Sequence, residues 1–184
     1  MKTLLREILI TLLLAIVAFF VLQTTVQTFI VNGPSMEPAL EDGQRLLVNR
    51  IVYNFHEPQR GDVIIFHAPE SGQDDFVKRI IAIPGDSIKI NEGAVYLNRV
   101  KLNESYVKEA PDYTMPLTVL AGGEYFVLGD NRNHSNDSHN GWTVPRQNII
   151  GKAWLSIWPQ NKWGIISPHP LSEQLTPTEA SYFK

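Results

Sequence analysis

Phe76-Val77-Lys78-Arg79-Ile80-Ile81-Ala82-Ile83, closed by Pro84-Gly85-Asp86, is the stretch on which the reading of this chain turns. Aromatic and β-branched residues dominate it and Pro-Gly ends it, so it reads as a strand inside a packed sheet. On a strand, Phe76, Lys78 and Ile80 share one face while Val77, Arg79 and Ile81 take the other, so the Lys78 amine emerges among hydrophobic groups. A lone lysine on a sheet is ordinarily solvated. What surrounds this one decides whether it does chemistry.

Working outward, runs rich in Val, Ile, Tyr, Phe and Trp recur at 45–53, 62–67, 87–90, 94–97, 124–128 and 149–158, with Gly and Pro between them. Their spacing predicts a mostly β domain. Asn91-Glu92-Gly93 reads as a hairpin turn and Asn98-Arg99 as the next. Residues 111–116 and 131–145 read as loops, the second long and polar enough to be functional. Past Pro159 the chain becomes rich in Pro, Ser and Thr, which predicts a poorly ordered tail over 161–184.

Upstream, residues 8–22 are apolar apart from Thr11, and a milder stretch to Val31 takes the segment past the roughly 20 residues that cross a hydrocarbon core. We assign 1–31 to a short cytoplasmic start and a retained transmembrane helix, and 32–160 to the β domain. A cleaved signal peptide competes with this reading, but no small-x-small cleavage pattern follows Leu22. Lys2, Arg6 and the terminal amine outweigh Glu7, which places the N-terminus on the cytoplasmic side of the plasma membrane and the β domain on the outer face.

Composition narrows the field further. The 184 residues leave room for one anchor and one domain of roughly 150 residues. A net charge of -3 gives no footprint for DNA or RNA. With no cysteine, disulfide scaffolding, thiol catalysis and Cys-based zinc sites are excluded. Asp130, His134, Asp137 and His139 match no metal motif, so no metal or other cofactor is expected. The five histidines invite a Ser/His/Asp reading, yet no Gly-x-Ser-x-Gly elbow surrounds any serine.

The nucleophile candidate is Ser35, in Gly33-Pro34-Ser35-Met36-Glu37-Pro38. Pro34 restricts Gly33 and Pro38 prevents a helix from running through, so Ser35 is held on a rigid turn just past the anchor. A serine hydroxyl attacks only if a neighbour takes its proton, and an amine buried among apolar groups stays neutral enough to do so. Bringing a lysine from its ordinary pKa near 10.4 to about 8 opposes the charged form by roughly 3 kcal/mol, which burial can supply.

Ser35-Met36-Glu37-Pro38, Arg60-Gly61-Asp62-Val63, Lys78-Arg79-Ile80-Ile81-Ala82-Ile83-Pro84-Gly85-Asp86 and Gly129-Asp130-Asn131-Arg132 with Ser135 and Asp137-Ser138 resemble, in order, the signature boxes of type I signal peptidases, from the anchor to about Trp158. The resemblance implies a membrane-anchored antiparallel β-sheet domain that cuts signal peptides from exported preproteins at the bilayer surface. It implies Ser35 as nucleophile and Lys78 as general base, with small side chains required at the first and third substrate positions before the cut. It makes Ser135 the residue that orients the lysine, and Asp130 and Asp137 structural acids, Asp130 paired with Arg79. Met36 is by default a packing residue; beside the nucleophile it is also placed to line a substrate pocket or touch lipid. Two positions depart from the pattern. His139 stands where relatives often carry Arg, leaving the partner of Asp137 open. Gly33 stands where some carry a serine, leaving the backbone N–H of Ser35 as the first oxyanion donor and the second unidentified.

Two other classes stay open on sequence alone. A self-cleaving regulator would use the same dyad but needs a DNA-binding or effector module, and none is seen. A tethered β domain that only binds a partner needs no dyad. The oligomeric state is not legible.

Overall fold

The computed structural model describes residues 2–69, 74–169 and 171–175. The N-terminal helix α1 spans Lys2–Thr25, and its stretch Thr3–Phe20 has a mean hydropathy of 2.2 with none of it buried against the rest of the protein. Such a helix is long and apolar enough to cross a membrane.

The helix ends earlier than the assigned anchor. The anchor assigned to 1–31 therefore takes in residues that are not helical: Val26–Ile30 forms strand β1, which pairs antiparallel with β2, Arg45–Asn49, from Val26 opposite Asn49 to Ile30 opposite Arg45. The cause is local: β-branched residues crowd 24–28 and lose side-chain freedom in a helix, while the partner strand takes up the backbone groups from Val26 onward.

The remaining strands are β3 Val63–His67, β4 Asp75–Ala82, β5 Ser87–Asn91, β6 Ala94–Leu97, β7 Val100–Lys101, β8 Met115–Val119, β9 Glu124–Leu128, β10 Val144–Pro145, β11 Ile149–Trp158 and β12 Gly164–Ile165. The larger sheet runs β1-β2-β11-β3-β4-β9-β10, with β12 on β11; the smaller runs β7-β6-β5-β8, and every pairing is antiparallel. Strands β3 and β4 lie in the middle of the large sheet and bury both faces. Val63, Ile65 and Val77 pack with Met36 and Leu40 in one cluster, and Ile64, Phe66 and Ile80 with Val127 and Trp142 in another. A third cluster joins Ile81 and Leu128 to Ile88, Ile90, Val95 and Leu97 of the small sheet.

The predicted hairpin turn sits between β5 and β6, with Glu92 and Gly93 at φ of 49° and 69°. The next joins β6 and β7 through Asn98 and Arg99 at φ of 50° and 71°. Asn98 tolerates this region and uses its side chain, which accepts from Ser87 N at 2.9 Å and donates to Asp86 at 2.8 Å. The stretch 111–116 read as a loop ends in the first two residues of strand β8, and 131–145 folds into short 3₁₀ turns around buried polar groups before β10.

The tail expectation is corrected as well. Gly164–Ile165 adds a strand to β11, Ile166 enters the Met36 cluster, and Leu171 is fully buried in the cluster under the small sheet. Two isolated apolar residues suffice because their sites lie elsewhere in the chain, out of reach of a local reading. Residues 176–184 lie outside the described part.

Candidate active site

The Ser35 turn is pinned from both sides. Gly33 takes φ +83°, open to glycine, and its N–H donates to Asp42 at 2.7 Å. Downstream, Glu37 N donates to Pro34 O at 3.1 Å and Leu40 N to Met36 O at 2.9 Å. From across the fold, Asn131 N donates to Ser35 O at 3.0 Å and its side-chain amide to Pro34 O at 3.1 Å. Met36 is fully buried with Leu40, Val63 and Val77. It is a peg that seats the turn in the core, and it lines neither the cleft nor a lipid-facing surface.

Strand β4 brings Lys78 to this turn, with Nζ 2.7 Å from Ser35 Oγ and 3.1 Å from Val77 O. Lys78 is 4% exposed, and its amine lies 5.2 Å from the centre of the Phe76 ring. Burial lowers its pKa to about 8, against the carboxylates of Asp137 and Asp130, which pull it upward. A charged amine donates to the serine oxygen; a neutral one accepts the hydroxyl proton along the same line. The pair opens into a cleft of about 330 Å³ whose wall includes Phe29, Asn32, Asp74, Val77 and Asn136.

Behind the lysine, Arg79 is fully buried and grips Asp130 with both arms of its guanidinium, Nε to Oδ1 at 2.9 Å and Nη2 to Oδ2 at 2.7 Å. Its third nitrogen donates to Gly61 O at 2.9 Å and Ser167 O at 3.1 Å. Planar, bidentate pairing of this kind is how a buried arginine is satisfied.

Asp137 is likewise buried, accepting from Gly129 N at 2.9 Å and from His139, through its backbone N at 3.2 Å and ring Nδ1 at 2.7 Å. The partner left open by sequence is therefore His139, whose ring stacks on Tyr113 with centroids 4.0 Å apart. An imidazole with a proton on Nδ1 donates this bond whether or not it carries a charge, so an arginine is not needed to hold the carboxylate.

Ser135 sits where a Cβ on Gly129 would overlap both its hydroxyl and the Ser35 carbonyl, so it belongs to the same small space. Its Oγ is buried without a hydrogen-bond partner among the described residues. The lysine-orienting contact expected of it is not made in this arrangement; Val77 O is the second contact of Nζ instead.

Several residues escaped the sequence reading. Asn131 stands inside the last box, next to Asp130, and its box was the available signal. Phe29 and Asn32 line the cleft but had been absorbed into or beside the anchor, and nothing local marks Asp42 as the holder of the turn. Arg132, in the same box as Asn131, pairs with Glu104 at 2.7 and 2.6 Å. Among the described residues no group of three or more His, Asp and Glu gathers as a metal site.

The sequence model of the family described as "Signal peptidase, peptidase S26" matches residues 4–158. The chain is 45% identical over 141 residues to a protein of Synechocystis named probable signal peptidase I-1, covering 73% of this chain and 72% of that protein. It is 40% identical over 162 residues to signal peptidase I of Leptolyngbya laminosa, covering 82% and 80%. Against signal peptidase IB of Staphylococcus aureus the identity is 34% over 178 residues, covering 86% and 92%. With Ser35 and Lys78 of two separate boxes meeting in one cleft and the family match running through nearly all of the β structure, the chain belongs to the signal peptidase family, peptidase S26.

Proposed function

We propose that this protein is the membrane-anchored endopeptidase that removes N-terminal signal peptides from exported preproteins, with Ser35 as nucleophile and Lys78 as general base. The observation that carries the catalytic assignment is the 2.7 Å approach of Lys78 Nζ to Ser35 Oγ at the base of the cleft. Neutral Lys78 takes the hydroxyl proton as Ser35 Oγ attacks the scissile carbonyl, giving a tetrahedral oxyanion. The backbone N–H of Ser35 is the first donor to that oxyanion. The lysinium then protonates the leaving amine, the mature protein departs, and water repeats the cycle on the acyl-serine. Asp130 and Asp137 hold the loop behind the lysine rather than exchange protons.

Location fits the substrate. Helix α1 ends at Thr25 and Phe29 lines the cleft, so the site lies close to where the chain leaves the bilayer. With Lys2 and Arg6 on the cytoplasmic side, the cleft faces outward, where a translocated precursor presents its cleavage site. Purified protein in detergent or vesicles, given a precursor with Ala at the first and third positions before the cut, tests the reading: wild type cleaves and Ser35→Ala does not. Equal cleavage by both proteins overturns the assignment of Ser35.

A further inference from the structure

Residues 164–169 and 171–175 lie beyond the stretch matched by the family, and in the fold they run past Arg79, the neighbour of Lys78 on β4. Ile166 anchors this segment in the cluster of Met36 and Val77, and Leu171 in the cluster of Ile81 and Leu128, so it bridges two cores that meet β4 at Val77 and at Ile81. Ile166 N is tied to Trp154 O at 3.0 Å. Farther on, Gln174 exchanges two hydrogen bonds with the Asn103 backbone, at 2.7 and 3.1 Å.

Between those anchors the segment covers Arg79. Ser167 O accepts from Arg79 Nη1 at 3.1 Å, and the His169 ring stacks on Tyr106, centroids 4.4 Å apart and planes within 15°. The same Tyr106 ring carries the Arg79 guanidinium 4.6 Å from its centre. A Cβ on Gly61 would overlap the His169 carbonyl oxygen, so the glycine of the Arg60-Gly61-Asp62 box leaves room for this segment to close down. Gly61 O and Ser167 O thus share one nitrogen of Arg79 while Asp130 holds the other two.

We propose that residues 164–169 and 171–175 form a positioning strap that holds the Arg79–Asp130 pair dry and in register behind Lys78, so that the catalytic geometry depends on a part of the chain outside the matched family core. Water kept away from an ion pair preserves its short bidentate geometry. Asp130 is one of the two carboxylates whose charge reaches Lys78, Asp137 being the other. Loosening the strap frees β4 and hydrates the lysine, which favours its charged form and costs turnover more than substrate binding. The inference rests on Lys78 being the base, and its tests separate the two ideas.

The first variant is full-length Leu171→Asp, which places a carboxylate in a fully buried apolar site. Limited proteolysis and amide exchange of 164–175 report whether the strap is released. The expected result is a released strap, kcat down about tenfold at pH 8 with KM within about twofold, and the lower-pH limb of kcat/KM moved upward. A released strap with wild-type kcat and an unmoved limb overturns the proposal. So does a strap that stays closed while kcat falls to the same extent.

If Leu171→Asp does not fold, His169→Ala and His169→Phe decide. Removing the ring should lower kcat and shift the limb, and Phe, which keeps the stack on Tyr106, should restore both. Two wild-type profiles, or two equally impaired ones, overturn the strap. Wild-type cleavage by Lys78→Ala would instead remove the base assignment, whatever the strap variants do.

Discussion

Lys78 and Arg79 are consecutive residues of one strand, sent to opposite faces of the same sheet, and both are buried. Arg79 meets a carboxylate in matched geometry, two backbone carbonyls and an aromatic ring. Lys78 meets a hydroxyl, one carbonyl and apolar neighbours. Arginine stays charged at any working pH, so its burial requires a full set of acceptors. Lysine escapes by giving up its proton, and a site lacking a direct anion forces it to do so at moderate pH. Adjacent basic residues are thereby set apart by their surroundings: Arg79 as a fixed structural charge and Lys78 as an amine whose pKa burial lowers, the property the proposed mechanism requires of its base.

The contrast is broken most severely at the dyad. Ser35→Ala and Lys78→Ala should each lower precursor cleavage by at least about a thousandfold, and the double variant should be little worse than either, because the pair acts as a unit. Lys78→Arg should fail as well, since its guanidinium does not release a proton. A robust rate from Lys78→Arg, with circular dichroism showing an intact fold, would remove the lysine-base assignment.

On the opposite face, Asp130→Asn should strand a buried guanidinium and destabilise the fold by about 3–5 kcal/mol in denaturant unfolding. Replacing both partners with apolar residues, Arg79→Met with Asp130→Leu, should cost less than that single change. If the double variant is the worse one, the pair supplies more than compensation for its own burial.

Lys78→Met sharpens the comparison with the opposite sign. The folded pKa of about 8 lies below the unfolded value of 10.5, so between them the unfolded chain holds more protons and stability rises with pH. Below that window the wild type carries a penalty of roughly 3 kcal/mol. Lys78→Met should therefore be inactive yet more stable than wild type at pH 7, and the gap should close as pH climbs toward 10. Wild-type kcat/KM should rise with pH along a limb near pH 8. A limb near 6.5 that disappears on replacing a histidine would favour a different base.

The smallest effect is expected at His139. Removing its ring deprives Asp137 of the 2.7 Å contact while Gly129 N still holds the other oxygen, so His139→Ala should cost about 1 kcal/mol and little activity. His139→Arg should restore the stability at pH 8 to 9. If His139→Ala melts with the wild type from pH 6 to 9, the ring has no part in holding the loop.

Much of this was legible because it is local. Apolar β-branched runs mark β3, β4, β9 and β11, and Glu92-Gly93 carries its turn in its own backbone preference. The boxes brought Ser35, Lys78, Arg79, Asp130 and Asp137 into one reading. Strand β1 was hidden because the run from Gln23 to Ile30 follows an apolar helix with no charge, Gly or Pro to end it. The strap was hidden because a Pro- and Ser-rich segment looks unstructured until Ile166 and Leu171 find their cores.

By itself the sequence determined which segments seek the bilayer, which form strands, and which residue types are present to act as nucleophile and base, since these depend on side-chain chemistry and on neighbours a few positions away. Only the tertiary structure decided that Lys78 reaches a serine 43 residues distant, that His139 serves Asp137, that Met36 is a core peg, and that Ser167 closes on Arg79. The reason is physical: a lysine's proton affinity and an arginine's satisfaction are set by groups brought together across the fold, and their energies have no counterpart in the extended chain.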